Sequence, residues 1–400
     1  MLAYVFPPDN YSGADRPYRF AKYLEKLGHP VTVLAAGSED GLQHPSENVY
    51  RVRGELEHIP RRNRPEQLMR YLFFWYDEGA TWVPRAVRVA SRWMRETPKP
   101  VLFSTSPPST THVAALWLKR RYQARWIADL RDPLAGNPFR TMRRAVAVDR
   151  ILERQIFTHA DVVIANTEPV AEMWRARYPQ EARKVHVIWN GFDPETSPQA
   201  LPRPARGAKT LVHIGTIYGT RQPTILLQSL ERLAERGAIT PTCFRLRLLG
   251  PSDLAAAAGE CIDRLRARKL LDFNPDLISR EESRRMTAES DFLLLLDVLG
   301  EGAGLQVPAK LFEYIMIGRP ILALTVRGSS VERILARAGI PHACLYPDNT
   351  AEEMDATVTR FLNSSPESIA PSDWFLETFD ARSQARLLSG LVSHEEDSRA

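Results

Sequence analysis

Short apolar runs alternate with stretches of helical spacing along the whole chain. "LAYVFP" reads as a buried strand, "DNYSGADRP" as a loop, "YRFAKYLEKL" as an amphipathic helix stopped by Gly28, and "VTVLAA" as the next strand. This is a βαβ unit. It is followed by "VLFSTS", a helix over 110–122, "RWIADL", a long helix over 141–158, "DVVIANT" and "VHVIWNG". Strands that alternate with helices predict a parallel sheet covered on both faces. The proline-rich run "SPQALPRPARGAK", Ser197–Lys209, breaks the rhythm and reads as a linker. The alternation then restarts with "TLVHIGTI", "PTILLQSLERLAER" stopped by Gly237, "FRLRLLG", "DFLLLLDV", a helix in "VPAKLFEYIMIG", "PILALTV", a helix over 330–338 and "ACLYP". The expectation is an α/β protein with domains over 1–196 and 210–368, a linker over 197–209, and a helical segment over 369–400. No repeat is evident.

One helix carries chemistry on its polar side. Proline at 308 and glycine at 318 are its start and stop signals. At about 100° per residue, Leu311, Phe312, Ile315 and Met316 fill one arc, while Lys310, Glu313 and Tyr314 fall on the other. An exposed i,i+3 pair there would contribute only about 0.2–0.5 kcal/mol.

Composition narrows the class. A chain of 400 residues exceeds what one core organises, and 44% apolar with 25% charged residues is ordinary globular content. Cys243, Cys261 and Cys344 show no metal-ligand spacing, which favours a reducing, cytoplasmic compartment over a disulfide framework or zinc site. The start "MLAYVFPPD" lacks the features of a signal peptide, and no apolar run is long enough to span a bilayer. The net charge of +5 is concentrated in clusters: Arg61, Arg62 and Arg64; Lys119–Arg121; Arg143 and Arg144. The first is followed by the aromatic run Tyr71–Tyr76, a combination suited to peripheral contact with an anionic membrane. Nucleic acid is disfavoured as a partner, since no finger spacing, RNP motif or recognition helix occurs.

Open α/β sheets bind ligands at the carboxyl ends of their strands. The first such end, "PPDNYSGADR", places Gly13 before a helix, where backbone amides can approach a phosphate. In "STSPPSTTH", two prolines end the strand and His112 enters the first turn of the next helix, directed away from the core. "ADLRDP" gathers Asp129, Arg131 and Asp132, which either pair internally or hold the hydroxyls of a polyol. In the second half, "HIGTIYGTRQP" leaves its strand at Gly215 and places Arg221 before a helix. Glycine permits close backbone approach, and arginine grips phosphate oxygens as a fork. Arg221 and Lys310 are therefore candidates to converge on a diphosphate, with Glu313 free for ribose hydroxyls. The absence of G-x-G-x-x-G and of a Walker A sequence disfavours a nicotinamide enzyme or P-loop ATPase.

In this order the segments "PPDNYSGADRPYRFAKYLEKLGHPVTVL", "STSPPSTTHVAALWLKRRYQARWIADLRDP", "VIANTEPVAEMWRARYP", "VIWNGFDPE", "LVHIGTIYG" and "VPAKLFEYIMIGRPILAL" resemble retaining glycosyltransferases of the GT-B fold, family 4 type, which act in bacterial polysaccharide and glycolipid assembly. The resemblance implies two Rossmann-like doubly wound domains facing a central cleft, with the C-terminal helices crossing back to the first domain. It implies sugar transfer from a nucleotide diphosphate sugar such as a UDP-sugar to a glycan, lipid-linked or small-molecule acceptor, with retention. Arg221 and Lys310 would hold the diphosphate, Glu313 the ribose, and Gly215 and Leu311 would complete the donor site. Gly13 would approach the distal phosphate, and His112 and Asp132 would lie near the donor sugar or acceptor. Catalytic roles fall to Arg221, Lys310, His112 and Asp132.

Two departures stand out. Family 4 members commonly carry Glu-x7-Glu, yet Leu305 stands eight residues before Glu313, leaving Glu301 as a substitute carboxylate. Arg221 is also not followed by the usual lysine, which throws weight on Lys310. No Asp-x-Asp occurs, so neither a metal ion nor any other cofactor is expected. With no evident nucleophile, same-face attack within an ion pair is the expected route to retention. A nucleotide-sugar epimerase of the same fold and a catalytically silent nucleotide-sugar-binding subunit are the rival readings.

Overall fold

A computed structural model of the chain describes residues 1–9, 13–38, 41–44, 48–54, 79–137, 143–202, 207–300 and 302–393. Arg61, Arg62, Arg64, the aromatic run Tyr71–Tyr76 and Glu301 lie outside the described residues. Two compact units result: Met1–Trp189 with Ala381–Ala400, and Asn190–Asp380.

The first unit is built on an eight-stranded sheet in the order β3-β4-β2-β1-β5-β6-β7-β8. Its strands are β1 (Leu2–Ala3), β2 (Val33–Gly37), β3 (Gly41–His44), β4 (Val49–Arg53), β5 (Val101–Thr105), β6 (Arg125–Arg131), β7 (Val162–Ala165) and β8 (Val185–Val187). All pairings are parallel except β3 with β4. The helices are α1 (Asp15–Lys26), α2 (Trp82–Glu96), α3 (Thr110–Tyr122), α4 (Arg143–His159) and α5 (Glu168–Arg177). One core cluster joins Phe20 and Leu24 of α1 to Val33, Ile127 and Ile164 of the sheet. Each such buried side chain contributes about 1.5–3 kcal/mol.

The second unit holds six parallel strands in the order β11-β10-β9-β12-β13-β14. These are β9 (Lys209–Ile214), β10 (Phe244–Leu249), β11 (Leu271–Asn274), β12 (Phe292–Leu296), β13 (Ile321–Leu324) and β14 (His342–Leu345). They are covered by α6 (Thr224–Glu235), α7 (Ala256–Ala267), α8 (Arg280–Ala288), α9 (Lys310–Ile317), α10 (Ser330–Ala338), α11 (Ala351–Leu362) and α12 (Asp373–Phe379). The near-continuous apolar strand Phe292–Leu296 is wholly buried, as expected for a parallel sheet covered on both faces.

The division between units falls at Trp189, ahead of the proline-rich segment. Residues just beyond it already belong to the second unit, where Phe192 N donates to the Phe379 carbonyl at 3.0 Å and its ring stacks on Phe375 at 5.6 Å. Helix α12 stays in that unit because Phe375 and Phe379 pack on Phe312 of α9. Helix α13 (Ala381–Ser393) is part of the first unit, packing on α1 and sending Leu388 into the core that holds Phe20.

Candidate active site

In the second unit, several polar groups gather at the carboxyl ends of β9, β12 and β13. Strand β9 ends at Ile214, and Gly215 turns the chain with φ 144°, a conformation open to glycine. Gly250 lies directly against it: a β-carbon at 250 would come within 3.0 Å of the Gly215 carbonyl oxygen. Across from this crossing, α9 begins at Lys310 after Ala309, which supplies no capping side chain. The helix ends as expected at Gly318, with φ 75°.

Lys310 reaches over the backbone of Gly215, so that a β-carbon at 215 would overlap its ammonium. Burial lowers the Lys310 pKa to about 8; Glu313 opposes the shift and Arg221 adds to it. Among the described residues the ammonium has no hydrogen-bond or ion-pair partner. The guanidinium of Arg221 is half-buried and, among the described residues, bound only to neutral groups: Nη1 donates to the Tyr218 hydroxyl at 3.2 Å and Nη2 to Gln306 Oε1 at 3.3 Å. Its Nε is buried without a partner among the described residues. Two cations thus share one site with no carboxylate in an ion pair to either among the described residues. Glu313, one turn along α9 from Lys310, is half-buried and likewise makes no hydrogen bond to a described residue.

Two groups that the sequence reading did not single out lie beneath this pair. His213, in β9, is 4% exposed, and burial, then Lys310, lowers its pKa to about 3, with Arg221 a smaller contribution. Neutral at ordinary pH, it donates from Nδ1 to the Leu294 carbonyl at 3.0 Å, leaving a bare acceptor at Nε2. Asp297 follows β12 and is 1% exposed; burial raises its pKa to about 6 against the Thr325 hydroxyl, 2.7 Å from Oδ2, and the Val298 amide. A histidine two residues before the strand-ending glycine and an aspartate at the end of "FLLLL" are the signals that could have marked them.

Other expected positions are placed differently. Leu311 has a fully buried side chain, and its amide is spent on the Pro308 carbonyl at 3.0 Å, so neither is free for a ligand. Tyr314 is 2% exposed, packed with the apolar residues of α9 rather than on the Lys310 face.

In the first unit, His112 is not directed away from the core; its side chain is fully buried. The Trp126 indole donates to Ser104 Oγ at 2.8 Å, and that hydroxyl meets His112 Nδ1 at 2.9 Å. Burial lowers the imidazole to about 4, with Asp129 opposing, so it is neutral, and its Nε2 is buried without a partner among the described residues. Asp129 takes the internal-pairing alternative. Arg16, 2% exposed, grips both its oxygens, at 2.8 Å from Nη2 and 3.0 Å from Nε, and binds the carbonyls of Ile188 and Trp189. Thr105 donates to the same carboxylate at 2.7 Å. Arg131, with φ 59°, donates to the Gly13 carbonyl at 3.2 Å, so Gly13 and the "ADLRDP" turn are brought together, with Asp132 half-buried beside them. Among the described residues no group of three His, Cys, Asp or Glu is gathered to hold a metal ion.

Doubly wound parallel sheets in two units are the architecture of the GT-B fold. Residues 17–196 match Glycosyltransferase Family 4, which places that part of the chain in the family. Solved structures share the fold over almost the full length. Anabaena HepE in complex with UDP and glucose aligns with TM-score 0.60 and 15% identity, covering 98% of both chains. The lipopolysaccharide outer core galactosyltransferase WaaB, in its apo form, aligns with TM-score 0.58 and 13% identity over 98% of this chain and 97% of its own. Apo OtsA aligns with TM-score 0.65 and 13% identity over 98% of both. At these identities the likeness is one of fold. No curated protein sequence matches the chain.

Proposed function

We propose that the protein transfers a hexosyl group from a nucleotide diphosphate sugar to a glycan or lipid-linked acceptor, with retention and without a metal ion or other cofactor. The observation that carries this reading is the pair Lys310 and Arg221 beside Gly215, two cations unpaired by any described carboxylate. A diphosphate supplies the missing negative charge. UDP is the preferred nucleotide, because HepE, of the same fold, is solved with UDP and glucose.

Cleavage of the bond from the anomeric carbon to the diphosphate builds negative charge on the leaving oxygens. Cations fixed before the reaction stabilise that charge more than the ground state, and loss of one such donor costs about 2.7–4 kcal/mol at comparable sites. The N-terminus of α9, left without a side-chain cap, adds a favourable field for an anion. Glu313 would accept from the ribose hydroxyls, and the bare Nε2 of His213 gives the floor of the site an acceptor. Leaving-group departure gives an ion pair, and the acceptor hydroxyl attacks from the same face while a diphosphate oxygen takes its proton. The first unit, with Asp132, is assigned to the acceptor side, and the protein acts at the cytoplasmic face of a membrane.

The test is incubation with a panel of UDP-sugars in the presence of a chelator, with and without acceptor, followed by NMR of the product. A product that keeps the anomeric configuration of the donor supports the proposal. Conversion of the donor sugar without acceptor would identify an epimerase, and no turnover of any donor would identify a silent subunit, the reading that Leu305 in place of a glutamate favours.

A further inference from the structure

Helices α2, α3 and α4 of the first unit pack side by side, with their apolar stripes buried beneath them. The outer surface they leave is almost uniform in charge. Helix α2 exposes Arg88, Arg92 and Arg95, with Glu96 as its sole acid. Helix α3 has no acid, and it exposes Arg120 and Arg121, while Lys119 is paired with Asp161 at 2.7 Å. Helix α4 exposes Arg143, Arg144, Arg150 and Arg154, whereas its two acids, Asp149 and Glu153, are buried. Because the whole chain carries only +5, the arginine excess of this one face outweighs the net charge of the protein. Soluble surfaces ordinarily intersperse both signs, since like charges on neighbouring helices repel.

The same face carries apolar groups at its middle. Val113 and Trp117, one turn apart on α3, are 36% and 49% exposed, and Ile151 on α4 is 63% exposed. Arginines around a tryptophan and aliphatic tips match the headgroup region of an anionic bilayer, where the guanidinium groups meet phosphates and the indole lies at the interface. Among the described residues no helix is long and apolar enough to cross a membrane, so contact through these helices would be peripheral.

We infer that the outer face of α2, α3 and α4 docks the protein on an anionic lipid surface, with Trp117 seated among the headgroups. The acceptor side of the enzyme would then be held where a lipid-linked acceptor is presented. The docking claim stands on this face alone; only its link to the acceptor rests on the proposed reaction.

Sedimentation of the full chain with vesicles of mixed phosphatidylglycerol and phosphatidylcholine tests it. Binding is expected to the mixed vesicles but not to pure phosphatidylcholine, and to weaken as salt is raised. Each arginine near such a surface contributes about fivefold in partitioning, so the triple variant R92Q/R121Q/R150Q is expected to bind about a hundredfold more weakly. Trp117→Ala should bind more weakly while keeping the salt dependence. Thermal stabilisation by UDP, read on the same samples, reports the donor site separately and is expected to be unchanged in all these variants. Equal binding by the triple variant, equal binding to neutral vesicles, or displacement from the mixed vesicles by duplex RNA at stoichiometric concentration would overturn the inference.

Discussion

The ammonium of Lys310 occupies the space that a β-carbon on Gly215 would fill. The two residues are far apart in sequence, yet each explains the other: the glycine leaves room for the cation, and the cation sits at the strand end where a ligand phosphate would arrive. Gly215→Ala must therefore push Lys310 aside and also hold a side chain at φ 144°. The expected cost is about 1–3 kcal/mol of stability, together with loss of UDP-induced thermal stabilisation. Melting curves with and without UDP separate the two effects.

The Lys310 ammonium also predicts a pH dependence. Its pKa is lowered from 10.5 to about 8, mainly by burial. In the free protein the charged form is penalised relative to the unfolded chain, so this cost is fully present below about pH 8 and fades as pH rises towards 10.5. Diphosphate binding needs the charged form and should weaken as pH rises above about 8. Titration of UDP across this range should show that decline in the wild type, and Lys310→Ala should abolish it.

Asp297 gives a second handle. Its pKa is raised to about 6 by burial, even though the Thr325 hydroxyl and the Val298 amide both favour its charged form. Native Asp297 holds its proton at pH values where the unfolded chain has lost it, so its ionisation costs stability between pH 3.8 and about 6 and the cost is complete above that. Thr325→Val removes one of the two hydrogen bonds to the carboxylate. A destabilisation of about 1–3 kcal/mol is expected at pH 7, and a smaller one at pH 5, by urea unfolding at each pH.

Arg16→Met tests the fold of the first unit. It would leave the Asp129 carboxylate, 0% exposed, with the Thr105 hydroxyl and the nearby charge of Arg131 but without the guanidinium that grips both its oxygens. The expected loss is about 3–5 kcal/mol, measured as a shift in the denaturant midpoint of unfolding. The double variant R16M/D129L should recover much of it, since apolar replacement of a whole buried pair is often neutral.

The strand and helix order was legible because apolar runs and amphipathic spacing act locally. The helix expected between Pro308 and Gly318 is observed from Lys310 to Ile317, ended by the glycine that marked it. Strand β1 is shorter than "LAYVFP" suggested, at two residues, and β3, β4, β11, α2, α5, α7, α8 and α11 lie outside the predicted elements. The convergence of Lys310 and Arg221 was also legible, since both flank strand ends and such ends gather in a doubly wound sheet. What escaped was set by distant partners. His112 has the position of a residue at a helix start, but Ser104 and a fully buried pocket take it inward. Asp129 sits among charged neighbours, yet its partner Arg16 lies 113 residues away. Tyr314 falls on the polar arc by angle alone, while packing around α9 buries it. His213 and Asp297 hide within apolar strands, where a polar residue reads as an interruption until its partners are seen.

The account rests on a diphosphate being held by the cations of the second unit, and calorimetric titration of UDP into the wild type, Arg221→Ala and Lys310→Ala at pH 7 tests it most directly. It predicts saturable binding by the wild type and affinity at least about tenfold weaker in each variant, in line with the loss of one charge-assisted contact. Unchanged UDP affinity in both variants would contradict it.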